Sequence, residues 1–153
     1  SINFATQFIK LADLDTIELF ERMIRDGAWW DFIDPIASHM VGRLLLENRS
    51  KVTKIMNAWI KDEDFWIRRT AILSQLSHKD KTDQNLLFKF CRLQMHEKEF
   101  FIRKAIGWAL REYSYTEPQA VLEFLLENKN ELSNLSFREG GKNLIKSGLL
   151  KDR

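Results

Sequence analysis

A 35-residue step runs through this chain without a gap, and it restricts the fold more tightly than any other feature of the sequence. From Ile17 the step leads to Val52, Leu87 and Leu122, and from Phe20 to Ile55, Phe90 and Leu125. A second set keeps the same register: Trp30, Phe65, Phe100 and Leu135, with Phe32, Ile67, Ile102 and Phe137 two residues on. Arg68, Arg103 and Arg138 follow it too, with Ile33 at that position in the first copy. Within one copy, Ile17, Phe20, Met23 and Ile24 mark one face of a helix, and Asp15 followed by Glu18 reads as the capping box that opens it. A helix pair of this length cannot bury both of its apolar faces alone, so neighbouring pairs must stack. The expectation is an all-α fold, an α-solenoid of HEAT-like helix pairs, with about four repeats forming a single domain over residues 1–153. The period is close to that of a tetratricopeptide repeat, but the Trp/Leu-Gly/Tyr signature of that repeat is missing.

Punctuation along the chain agrees. Only two prolines, Pro35 and Pro118, and six glycines interrupt it. Gly140 and Gly141 are expected to break the second helix of the fourth copy. A helix from Asn3 to Leu11 has no partner before it in the sequence, so its partner is expected upstream. No apolar run approaches the roughly 18–20 residues of a membrane helix. The one cysteine, Cys91, excludes an intrachain disulfide and fits a reducing cytosol. It takes the repeat position of Glu21, Met56 and Leu126, which favours burial over a nucleophile. His39, His78 and His96 are scattered without zinc-ligand spacing, so no metal site is expected. Phosphate-loop, dinucleotide and serine-hydrolase motifs are likewise missing.

Charge must be read by position, because 24 basic and 22 acidic residues leave a net charge of only +2. Stacked second helices place equivalent positions side by side, and one such row is Asp34, Arg69, Lys104 and Glu139. Residues four apart share a helix face, so Trp30 accompanies Asp34, Phe65 accompanies Arg69, and Trp108 continues the stripe after Lys104. Two readings fit each of these residues. Asp34 before Pro35 could cap a helix with proline at its first position, or it could face a ligand. Trp30 and Trp108 could be core aromatics, or they could line the ligand face. Lys104, Arg111 and Lys142 suit either phosphate contacts or a solvated surface. Asp31 is a weaker carboxylate candidate, one residue off the stripe. Trp29, Trp59 and Trp66 read as packing residues, and Arg68 and Arg103 as braces between repeats or at helix ends.

The segments WWDFIDPIA (Trp29–Ala37), DFWIRRTAIL (Asp64–Leu73) and FFIRKAIGWALREYS (Phe100–Ser114) resemble the DNA alkylation repair family, the AlkD-like HEAT-repeat DNA glycosylases. The resemblance runs from about Asp15 onward with three motifs in order, and it implies an α-solenoid, as the repeat does independently. It also implies a monofunctional glycosylase that excises cationic N3- and N7-alkylpurines from duplex DNA, leaves an abasic site and does not draw the base into a pocket. On that resemblance Trp30, Asp34 and Trp108 flank the lesion and Arg69 holds backbone phosphate. Duplex DNA is then the partner, with no cofactor, no metal, no membrane, a monomeric state and a cytoplasmic, nucleoid-associated location. The chain is expected to begin inside the family's solenoid, downstream of helices that help to clasp DNA. The competing expectation is a non-catalytic HEAT-like module that binds DNA structures or proteins.

Overall fold

The computed structural model describes residues 16–27 and 29–152, with Trp30 described by its backbone. The capping box at Asp15 and the helix expected over Asn3–Leu11 lie outside the described residues. Among the described residues every regular element is helical and none is a strand, which is consistent with an α-solenoid. The chain divides into two compact units, Ser1–Ser77 and His78–Arg153.

In the first unit, helix α1 (Thr16–Gly27) is followed by a long helical run in three parts. These are α2 (Trp30–Pro35), a π-helical stretch (Ile36–Val41) and α3 (Gly42–Glu47). Pro35 lies inside this run and has no N–H to give. The wider turn that follows absorbs the irregularity, and it closes with the Gly42 N–H on the carbonyl of Ala37, five residues back. Helices α4 (Arg49–Trp59) and α5 (Phe65–Leu73) complete the unit. Asp64 caps α5 by accepting from the Trp66 N–H at 2.9 Å. Of the apolar positions that helical spacing and the repeat selected, Ile17, Phe20, Ile24, Val52 and Ile67 are buried, while Met23 and Ile55 are half-buried. Outside that core, the Arg25 guanidinium places two hydrogen bonds on Asp62, at 3.0 and 2.6 Å, and ties α1 to the turn before α5.

The second unit holds a 3-10 turn (Lys79–Lys81), α6 (Gln84–Gln94), α7 (Phe100–Ser114), α8 (Pro118–Glu127) and α9 (Asn134–Lys146). Asp83 and Ser133 cap α6 and α9 through the N–H groups of Leu86 and Ser136, and Pro118 takes the first position of α8. Phe88 stacks on Phe124 with ring centroids 4.5 Å apart, and Leu87, Phe90, Ile102, Ile106, Leu125 and Leu144 are buried in the same unit. Burial of Cys91 in this core pushes its thiol up to about 12, so it is a packing residue.

Trp30, Phe65 and Phe100 are the first residues of α2, α5 and α7, and Leu135 is the second of α9. The interruption expected at Gly140 and Gly141 does not occur, and α9 runs through both. A Cβ on Gly140 would stand 3.2 Å from Leu110 Cβ, and one on Gly141 would stand 2.9 Å from Leu150 Cδ2. Close packing at these glycines offsets a helix-propensity cost of about 1 kcal/mol each relative to alanine. The stop comes later, at Gly148 with φ 81°, where the Gly148 and Leu149 N–H groups close on the carbonyls of Ile145 and Leu144.

Candidate functional site

Asp34 is an interior residue of α2, so the helix-cap reading fails. The N-cap is Trp29, in extended conformation, whose carbonyl accepts the N–H groups of Phe32 and Ile33 at 3.1 and 3.0 Å. The indole of Trp29 is 58% exposed, contrary to the packing role expected for it. Trp59 and Trp66 are buried, as packing residues should be. Trp30 begins the helix one turn before Asp34, and Asp31 is exposed.

The Asp34 side chain meets Arg69 of α5. Arg69 Nε donates to Asp34 Oδ1 at 2.9 Å and Nη2 donates to Oδ2 at 2.9 Å. Asp34 is 9% exposed and Arg69 3%. Two parallel bonds fix the plane of the carboxylate as well as its position, which a single lysine contact would not do. The Ser38 hydroxyl donates to the Asp34 carbonyl at 2.9 Å, so the backbone is tied where the helix widens. Gly42 lets this run meet the end of α5, since a Cβ there would lie 2.6 Å from the carbonyl oxygen of Ser74.

In the second unit the same repeat position pairs Lys104 of α7 with Glu139 of α9 at 3.2 Å. Glu139 is 7% exposed and gathers two further cations, Lys142 at 2.9 Å and Arg111 at 3.4 Å. Three cations surround one carboxylate, a formal excess of two positive charges, and all three keep partly exposed heads. Burial acts to raise the Glu139 carboxyl, but hydrogen bonds from Lys142 and Lys104 and their charges outweigh it and hold the group below its ordinary value of 4.5. Glu139 drew no attention as a site residue in the sequence. The available signal was its repeat equivalence to Lys104 and its three-residue spacing from Lys142. Trp108, one turn beyond Lys104, is half-buried. Arg103 Nε donates to the Glu97 carbonyl at 2.8 Å, a brace on the turn that precedes α7.

The lowered Glu139 pKa carries a definite sign. Its stabilisation is fully present above the unfolded value of 4.5 and is lost as pH falls through the lower folded value. Glu139→Gln should therefore lower the thermal midpoint at pH 7, by about 1–2 kcal/mol of stability. The gap to the parent should close in melts run on the acid side of the carboxylate range. A gap that persisted unchanged there would show that packing, and not charge, is what Glu139 supplies.

Among the described residues no group of His, Cys, Asp and Glu is arranged to hold a metal ion, and no helix is long and apolar enough to cross a membrane. The family model for DNA alkylation repair enzymes matches residues 1–144. The chain belongs to the DNA alkylation repair enzyme family. A solved structure described as a predicted DNA alkylation repair enzyme from Enterococcus faecalis is 38% identical to it, with a TM-score of 0.85. The match covers 95% of this chain and 67% of that one. No curated protein matches the chain. Membership of the DNA alkylation repair enzyme family points to DNA repair and to a DNA substrate. In that setting the exposed Trp29, the fixed Asp34 carboxylate and the cations around Glu139 become surfaces to be explained rather than incidental features.

Proposed function

We propose that this chain is a monofunctional DNA glycosylase of HEAT-like repeats that excises cationic N3- and N7-alkylpurines from duplex DNA without flipping the base. Asp34 is the carboxylate that acts at the sugar. Trp30, at the head of the same helix, and Trp108, in the second unit, are proposed as lesion-facing aromatics. One observation carries the reading: in a member of this family, Asp34 is held in a fixed plane by two hydrogen bonds and is only 9% exposed.

The chemistry suits these groups. An alkylated purine already carries positive charge, so when the C1′–N bond breaks its electron pair returns to the base and neutralises it. Positive charge then develops on the sugar, where a nearby carboxylate stabilises it. Water attacks C1′, its proton passes to Asp34 or to solvent, and an abasic site remains. An indole face attracts the cationic nucleotide with about 0.5–2 kcal/mol, according to desolvation. No lysine nucleophile or cofactor takes part in these steps.

Lys104, Arg111 and Lys142 are proposed to grip backbone phosphate. Because Glu139 offsets one of their charges, the trio should count as about two phosphate contacts. Replacing all four residues by Gln should then flatten the salt dependence of duplex affinity by about 1.8 in log–log slope. An unchanged slope would leave the cluster as a brace between α7 and α9. The reading as a whole is tested with duplex DNA carrying a single 7-methylguanine. Time-dependent release of the base, leaving an abasic site, is the expected result. A chain that binds this DNA and releases nothing is a binding module.

A further inference from the structure

Arg69 is the arginine that the family resemblance assigns to backbone phosphate, yet its fork is occupied. Nε and Nη2 each lie 2.9 Å from a different oxygen of Asp34, and the side chain is 4% exposed. The surroundings on α5 are closed as well, with Ile67, Thr70, Ala71 and Ile72 all buried. The edge that carries Nε and Nη2 is committed to Asp34, and the remaining Nη N–H groups belong to a side chain only 4% exposed, so gripping a phosphodiester in solvent would require the guanidinium to swing out and give up both bonds. It would then leave a carboxylate without its counter-charge in a site that is itself 9% exposed. The geometry points to a different role: we infer that Arg69 is a positioning residue, which sets the plane of the Asp34 carboxylate and does not bind phosphate. Each carboxylate oxygen has a second lone pair beyond the one given to Arg69. With the fork holding one edge of the group, the remaining lone pairs keep a single orientation. They can then face the developing charge without reorganising during the reaction.

This inference rests on the glycosylase reading, and its test separates the two. The wild-type chain, Arg69→Lys and Arg69→Ala are compared in three measurements. These are single-turnover release of 7-methylguanine at saturating protein, affinity for undamaged duplex, and the slope of that affinity with salt. All are made well below the lowest melting temperature. Positioning predicts a rate loss of about 100-fold in both variants, the scale of a misplaced catalytic group, with affinity and slope unchanged. Lysine should fail although it keeps the charge, because it lacks the fork. Added guanidinium ion should restore part of the rate to Arg69→Ala, which a general loss of packing would not allow. A slope flattened by about 0.9 with the saturated rate retained would mark one phosphate contact and overturn the inference. Unaltered release by Arg69→Lys at saturation would overturn it equally. A wild-type chain that releases no base defeats the glycosylase reading itself, while the salt slope still reports whether Arg69 touches phosphate.

Discussion

Asp34→Asn should lower the single-turnover rate of 7-methylguanine release by about 100- to 1,000-fold, the loss usual when one preorganised electrostatic group is removed. The substitution keeps the size of the side chain and one oxygen able to accept from Arg69. What it removes is the charge that answers the developing positive charge on the sugar. Affinity for undamaged duplex should stay within about twofold, since the group is proposed to act in the transition state and not in ground-state binding. Stability should fall as well, because Arg69 is 3% exposed and its fork loses the full negative partner. An expected cost of about 1–3 kcal/mol follows from leaving a buried charged group partly satisfied. That destabilisation now comes from the ion pair with Arg69 and not from a lost helix cap. The rate must therefore be measured at a temperature where both proteins are fully folded. Undiminished base release by folded Asp34→Asn would remove the carboxylate from the mechanism.

Much of this arrangement was legible in the repeat. Adding 35 to Asp34 gives Arg69, and adding 35 to Lys104 gives Glu139. The 35-residue step sets these residues at equivalent positions, which the sequence reads as a ligand-facing row, whereas the structure pairs Asp34 with Arg69 and Lys104 with Glu139. Their partition was not legible. Spacing places Arg69 beside Asp34, but only burial and the two-bond geometry show that its fork serves the carboxylate. Arg111 joins Glu139 from 28 residues away, off the repeat register, and no periodicity announces it.

Local punctuation was the less faithful guide. Asp-Pro at Asp34–Pro35 reads as a helix start, yet the helix begins five residues before Pro35 and continues beyond it through a π-helical stretch. The tertiary demand to place Asp34 against α5 overrides the local preference of the dipeptide. Gly140 and Gly141 mislead for a related reason, since a glycine that admits a neighbouring helix looks the same in sequence as one that ends its own. Trp29 shows the limit of the hydrophobicity rule. It stands immediately before the position that the repeat marks, Trp30, and it is exposed.

Gly107→Ala sets local propensity and packing directly against each other. Propensity in the interior of α7 predicts a gain of about 1 kcal/mol from the added methyl group. The geometry predicts a loss. The new Cβ would lie 2.6 Å from Glu139 Cβ, 3.3 Å from the Ser136 carbonyl oxygen and 3.5 Å from the Gly140 nitrogen. Those atoms belong to the backbone of α9 or sit directly on it, so no flexible side chain can swing away. Relief requires α9 to move off α7, and overpacking of this kind costs about 1–3 kcal/mol. Packing should therefore win, with a lower urea midpoint and a lower melting temperature than the parent. Position makes the loss reach the site. Lys104, Gly107 and Arg111 fall on one face of α7 at helical spacing, so the glycine is the contact point between the two cations that α7 extends to Glu139. Displacing α9 there lengthens both ion pairs at once, and the variant should lose most of the acid sensitivity that Glu139 confers. A Gly107→Ala protein more stable than its parent would mean that α7 and α9 separate at no cost, and that the close approach of their backbones is not what holds the cluster together.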